Sequence, residues 1–244
     1  MDEQKLFSLL VDLHRDGARQ GPGSEADTLR ALALSGVDET GALRVADVGC
    51  GTGAAALVLA QQLPNARITA ADLFQEFLDV LAERAAAAGV ADRISTLAES
   101  MDALPLAPDS LDLLWSEGAI YNIGFANGLE VLRPHLRTGG VLAVSELTWL
   151  RPDPPEEIRD FWESQYPEIA TAAEKIATLE GAGYDLLGYF TLSPSSWLDH
   201  YYGPTAQRLP AFRERHADEP EADELIAMED REVALYRRFQ DHYS

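Results

Sequence analysis

The chain has 244 residues, 46% of them apolar, and 41 acidic against 19 basic side chains, for a formal charge of −22. That length can bury one sizeable core, and the acid surplus repels nucleic-acid phosphates and anionic bilayers, so a small molecule is the better partner. No run of about 18 apolar residues exists to cross a membrane, the start Met1-Asp-Glu-Gln-Lys is unlike a signal peptide, and the single cysteine, Cys50, leaves no internal disulfide or multi-cysteine zinc site. A cytoplasmic protein, monomer or homodimer, is expected.

In chain order, residues 3–18 carry Leu6, Leu9, Leu10 and Leu13 at helical spacing. Arg19-Gln-Gly-Pro-Gly-Ser24 interrupts that helix, and Ser24 with Asp27 three residues on predicts a second helix to about Leu34, closed by Gly36. Residues 1–36 therefore read as a helical lid outside the core. Strands are expected near 44–48, 67–72, 92–97, 111–116, 140–146 and 185–192, and helices near 54–63, 74–88, 126–136, 152–165 and 170–181. Such alternation predicts a doubly wound, mainly parallel α/β sheet over 37–192, with ligand at the carboxyl ends of its strands. Beyond 192 the cluster Trp197, His200, Tyr201 and Tyr202 precedes two polar helices, 205–216 and 221–242, in a segment 193–244 expected to pack on the same domain.

Arg44-Val-Ala-Asp-Val-Gly-Cys-Gly-Thr-Gly-Ala54 holds the clearest chemistry. A buried strand breaks into Gly49, Gly51 and Gly53 and then a helix, the opening of a nucleotide-binding unit in which glycines let a ligand press on the backbone. The same glycines fit G-x-G-x-x-A, so a dinucleotide is a live reading. Asp47, two residues before the first glycine, argues for a cationic ligand over a pyrophosphate. Asp72, ending the second strand, suits a ribose diol, and also a helix N-cap.

Asp47-Val-Gly-Cys-Gly-Thr-Gly53 followed by Asp72 resembles the class I S-adenosylmethionine (SAM)-dependent methyltransferases over residues 40–190 or so. The whole-chain pattern of Gln20-Gly-Pro-Gly-Ser24, Ser116 to Phe125, Ser145-Glu146 and Trp197 to Tyr202 is similar to a group of bacterial small-molecule methyltransferases. The resemblance implies a Rossmann-like sheet that usually closes with a seventh, antiparallel strand. This sequence stops where that strand is expected, so six strands are predicted. It also implies SAM as donor and S-adenosylhomocysteine as product. Gly49, Gly51 and Gly53 line the methionine end, with Asp47 on its ammonium. Asp72 takes the ribose, Leu73 flanks the adenine, and Ser100 and Met101 meet the ring, with Asp102 competing for its amine. Ser116 and Glu117 face the methionine end, while Tyr121 and Asn122 face the acceptor.

For the chemistry, Glu117, Tyr121, Glu146 and His200 are the candidate catalytic groups, with His14 behind His200. Glu117 as a helix cap, Glu146 as a solvent-facing acid and His200 as a structural histidine are the plainer alternatives. Arg19 is a candidate for a SAM or acceptor carboxylate. Tyr121, Trp149, Trp197, Tyr201 and Tyr202 can wall a cationic or planar acceptor, or simply pack. Cys50 has no activating neighbour in sequence and reads as packing. Five scattered histidines predict no metal site. The expected reaction is in-line displacement on the SAM methyl carbon, dominated by alignment and exclusion of water. An NAD-type oxidoreductase and a non-catalytic SAM-binding regulator are the rivals.

Overall fold

The computed structural model describes residues 3–244. The chain opens with helices α1, Glu3–His14, and α2, Glu25–Ser35. Ser24 caps α2 by accepting from the Asp27 N–H, and Gly36 ends it in the left-handed conformation, the start and stop that the sequence signals. The core then runs β1 Arg44–Val48, α3 Ala54–Gln62, β2 Arg67–Asp72, α4 Gln75–Ala87, β3 Ile94–Ala98, β4 Leu111–Glu117, α5 Phe125–Leu132 and β5 Leu136–Ser145. A short strand β6, Thr148–Trp149, precedes α6, Glu156–Gln165, and its partner β7, Ala170–Thr171, leads into α7, Ala172–Gly181. The C-terminal part is helical: α8 Pro194–Trp197, a π-turn Leu198–Tyr202, α9 Gly203–Arg215 and α10 Pro220–Phe239.

The five core strands form one sheet in the order β3-β2-β1-β4-β5, and every pairing is parallel. The expected doubly wound α/β architecture is therefore present. Parallel strands covered on both faces read as continuous apolar runs, and in β1 the residues Val45 to Val48 are all buried. One apolar layer gathers β1, β2 and β4 side chains with α3 and α4 around Leu59, Leu78, Leu81 and Trp115. The opposite layer packs α5 on the sheet through Phe125, Leu129 and Leu132. Chain order reverses between β1 and β4, and the crevice beyond their carboxyl ends is where such sheets hold ligands.

Two expectations about the sheet need correction. Residues 185–192 form no strand: they make no ladder with β5, and Leu187 and Tyr189 are 61% and 64% exposed. A strand needs a hydrogen-bonded neighbour, and among the described residues β5 pairs only with β4 and stays at the sheet edge. Six core strands are thus five. The helix expected to reach residue 136 stops at Leu132, followed by a 3₁₀ turn Arg133–His135, because Pro134 lacks the N–H a continuing helix needs.

The chain end pairs elsewhere. Thr148 and Ser244 exchange backbone hydrogen bonds, and Trp149 and Tyr243 form an antiparallel bridge. Trp149, Trp162, Trp197, Tyr202, Tyr236 and Tyr243 close into an aromatic cluster joining β6 to α6, α8 and α10. A further cluster sets Leu9 and Leu13 of α1 against Phe212 of α9 and Leu225 and Ile226 of α10. The leading helix and the C-terminal helices therefore cover the carboxyl end of the sheet as one cap.

Candidate functional site

Gly49, Gly51 and Gly53 all have positive φ, at 71°, 53° and 86°. Each also sits where a side chain has no room: an added Cβ would lie 2.2 Å from the Ala119 Cβ, 2.1 Å from the Gln20 Oε1 and 2.1 Å from the Leu81 Cδ1, respectively. Glycine is thus required for the backbone twist and for three close approaches, by the β4 turn, the lid and α4. Met101 reaches the same turn, its methyl 3.4 Å from where a Cβ on Gly49 would lie. Leu73, 60% exposed, stands free beside it.

The polar groups of the turn are already assigned. The N–H groups of Gly49 and Cys50 donate to the Ala71 carbonyl, and that of Gly53 donates to the Cys50 carbonyl. Gly51 N–H donates to Asp72 Oδ2 at 2.8 Å and Thr52 N–H to Gln20 Oε1 at 2.9 Å. A pyrophosphate would need free N–H groups here, and Gly49 to Gly53 offer none. Beneath the turn lies Asp47, 1% exposed, with Oδ2 buried and unpartnered. Burial, then the nearby Glu117 carboxylate, pushes its carboxyl up to about 8. An orphaned buried acid next to a glycine turn without free donors fits an ammonium group. Asp72 receives both Gly51 N–H and Phe74 N–H, the latter at 3.0 Å in the turn that leads into α4; the N-cap of α4 is Phe74, so Asp72 does not cap that helix. Burial raises it too.

The loop between α1 and α2 is tied to this turn. Gln20 Nε2 donates to Thr52 Oγ1 at 3.1 Å, and Arg84 of α4 donates to the Thr52 carbonyl and the Ala18 carbonyl at 2.8 and 3.2 Å. Glu117, at the tip of β4, is fully occupied: Oε2 accepts from Arg19 at 2.6 Å, and Oε1 from Thr28 at 2.7 Å and Trp115 Nε1 at 2.9 Å. Ser116 is wholly buried with an unpartnered hydroxyl. Ser100 and Met101 are half-buried, and Asp102 is exposed.

Next to the crevice lies a cavity of about 260 Å³ bounded by Gly118, Tyr121, Ser145 and Glu146 from the sheet side and by Gln20 and Pro22 from the lid. Trp162 of α6, Tyr166 just after it, Trp197, Tyr201 and Glu232 of α10 line its other walls. Glu146 is held by Lys175 at 3.1 Å, whose Nζ also donates to the Tyr166 hydroxyl at 2.6 Å. Burial lifts the Glu146 carboxyl, and Lys175 partly opposes this.

Several expected acceptor residues lie elsewhere. His200 is exposed and outside the cavity: in the π-turn Leu198–Tyr202 its neighbours Tyr201 and Tyr202 take the inward directions, leaving His200 to solvent. His14 is the buried histidine, stacked on Tyr201 at 6.2 Å. Trp149 is 7% exposed in the aromatic cluster, edge-on to Tyr243, and lines no part of the cavity. Asn122 is exposed, its amide turned back onto the Ala119 carbonyl. Tyr121, Tyr201 and Glu146 do line the cavity. Sequence reasoning missed Lys175 and Glu232, which lie on α7 and α10, and Tyr166, which follows the last turn of α6, and gave Gln20 no contact of its own. Among the described residues no group of three metal-ligating side chains is assembled, and no helix is long and apolar enough to cross a membrane.

Comparison with known proteins bears on this geometry. Residues 45–140 match the model of the methyltransferase domain family. Over 66 residues the chain is 46% identical to the release factor glutamine methyltransferase of Chlorobaculum tepidum, covering 27% of this chain and 22% of the relative. It is 34% identical over 151 residues to the methyltransferase GfsG of Streptomyces halstedii, covering 57% and 54%. The chain spans about half or less of the curated relatives it matches. A solved SAM-dependent methyltransferase from Geobacter sulfurreducens, in complex with S-adenosylhomocysteine, superposes with a TM-score of 0.81 at 22% identity, over 98% of this chain and 94% of that one. The fold is the Rossmann-like fold of those enzymes.

Proposed function

We propose that this chain, a methyltransferase-domain protein through residues 45–140, moves a methyl group from SAM to a small-molecule acceptor. The observation that carries the reading is the pairing, at one switch-point crevice, of an orphaned buried Asp47 beneath a glycine turn without free N–H donors with an adjoining cavity. The first suits a ligand bearing an ammonium, and the second gives an acceptor a place beside it. The solved relative's bound S-adenosylhomocysteine supports the same donor.

SAM, when bound, supplies an electrophilic methyl carbon on a sulfonium. The rest is the protein's work. Asp47 receives the ammonium, Asp72 the ribose hydroxyls through lone pairs its two backbone contacts leave free, and Met101 and Leu73 flank the adenine, with Ser100 beside them. Ser116 offers its unpartnered hydroxyl toward the methionine end. Glu117 is committed to Arg19, Thr28 and Trp115, and we assign it to clamping the lid rather than to proton transfer. Gln20, on the lid, touches both the glycine turn and the cavity, so closing the lid excludes water from both at once. Tyr121 and Glu146 stand at the cavity wall nearest the β4 and β5 ends, and align the acceptor there.

A labelled-methyl assay with SAM over amines, phenols, thiols and carboxylates tests this. Transfer to any of them supports the enzyme. Binding of S-adenosylhomocysteine without transfer to any class turns the reading to a regulator, and binding of NAD in its place turns it to a dinucleotide protein.

A further inference from the structure

The cavity beside the crevice has a one-sided charge. Two acids, Glu146 and Glu232, line it, and no lysine or arginine does. The Glu146 side chain is 7% exposed. Its Oε1 takes Lys175, while Oε2 is buried with no partner. Lys175 itself is spent, donating to Glu146 and Tyr166 and lying over the Phe125 and Tyr166 rings at 4.4 and 4.6 Å. Glu232 accepts one hydrogen bond, from the Tyr202 hydroxyl at 2.7 Å, and among the described residues no ion pair reaches it. Burial, with Glu229 adding to it, pushes Glu232 up to about 7. Tyr121 lines the same cavity as the two acids and is 44% exposed; its hydroxyl is raised by burial foremost and then by Glu232, with Glu146 adding to that.

A carboxylate drawn partly out of water with no cation, as Glu232 is, is costly unless a ligand brings one. The other walls, Tyr121, Tyr166, Trp162, Trp197 and Tyr201, present aromatic rings, which attract cations. A carboxylate or phenolate acceptor would enter against Glu232, which has no counter-ion, and beside the Glu146 oxygen that Lys175 leaves unpartnered.

We propose that the acceptor is a cationic amine, its ammonium held between Glu232 and Glu146 inside the aromatic walls, and that nitrogen is the atom methylated. This rests on the SAM-dependent reading above. A primary or secondary ammonium gives one proton to Glu232, the group without a counter-ion. The freed nitrogen lone pair then bonds to the methyl carbon as the carbon–sulfur bond breaks. Sulfur keeps that pair and becomes a neutral thioether, and the positive charge passes to nitrogen. Glu232 then loses its proton to water. No oxidant or further reactant enters.

The test uses matched probes, phenethylamine, phenethyl alcohol and phenylacetate, with wild type, Glu232→Gln and Glu146→Gln. S-adenosylhomocysteine affinity is measured on all three proteins as the control for folding and for the donor site. The amine is expected to stabilise the S-adenosylhomocysteine complex against heat, and to accept methyl from SAM, at least tenfold better than either companion. Each glutamine variant is expected to cut that preference at least tenfold while S-adenosylhomocysteine affinity stays within twofold. Preference for the alcohol or the acid, no discrimination among the three, or a preference unchanged in both variants overturns the proposal while leaving the donor reading in place. Loss of S-adenosylhomocysteine binding in wild type instead overturns the donor reading.

Discussion

Arg19 and Glu117, 98 residues apart in sequence, meet at 2.6 Å with side chains 11% and 16% exposed. The pair fastens the loop between α1 and α2 to the tip of β4, between the glycine turn and the cavity. Breaking one side of such a mostly buried pair leaves a charge without its partner, at a cost of about 3 kcal/mol. Arg19→Ala is expected to weaken S-adenosylhomocysteine binding at least tenfold and to speed proteolysis within residues 15–23. Unchanged cleavage in that loop contradicts the clamp.

The glycine turn separates two kinds of damage. At Gly51 an added Cβ meets the far end of the Gln20 side chain, and at Gly53 it meets Leu81 inside the core. Both positions have positive φ, so each alanine carries backbone strain of about 1 kcal/mol. Gly53→Ala adds core overpacking of about 1–3 kcal/mol. Gly53→Ala should therefore lower the melting temperature clearly further than Gly51→Ala. Gly51→Ala should lose donor affinity because Gln20 is displaced from Thr52. Calorimetry with and without S-adenosylhomocysteine reads both.

The buried acids set a pH dependence. Asp47 is held up to about 8 in the folded protein, against about 4 unfolded. The folded state keeps a proton that the unfolded chain releases, so this stability is full below pH 4 and is lost as pH rises toward 8, at about 1.4 kcal/mol per unit. Asp72, Glu146 and Glu232 are raised too and act in the same sense. Asp12 and Asp112 are lowered, and their contribution is lost only below about pH 4. Denaturant midpoints should therefore fall from pH 5 to pH 8, and fall less in Asp47→Asn. An ammonium beside Asp47 favours its charged form, so S-adenosylhomocysteine should bind more tightly at pH 8 than at pH 6, a trend Asp47→Asn should flatten.

Cys50, inside the turn, is 7% exposed, and burial pushes its thiol up, with Asp47 and Asp72 adding to the effect. A thiol kept protonated and covered does not react. Iodoacetamide at pH 8 should leave the native protein unmodified and alkylate it fully in denaturant. Rapid native labelling contradicts the closed turn.

The parts of this protein legible in its sequence are those written in local patterns. The glycine spacing gave the turn, Ser24 and Gly36 gave α2, and the apolar runs of β1, β2 and β4 gave the heart of the sheet. The strand expected at 185–192 failed because pairing depends on a neighbour, which an apolar segment does not carry within itself. The acceptor side was harder to read. Lys175 and Glu232 lie on helices whose charges look like ordinary solvent-facing ones, and only tertiary packing turns them inward. His200 misled for the same reason in reverse: it neighbours two aromatics in sequence, and the π-turn points it away from them.

The most direct test of the central claim is a calorimetric titration of wild type and Asp72→Ala with S-adenosylhomocysteine and with NAD. The account predicts micromolar binding of S-adenosylhomocysteine, about −8 kcal/mol, weakened at least a hundredfold in Asp72→Ala, and no heat from NAD. Binding of NAD with S-adenosylhomocysteine silent would contradict it.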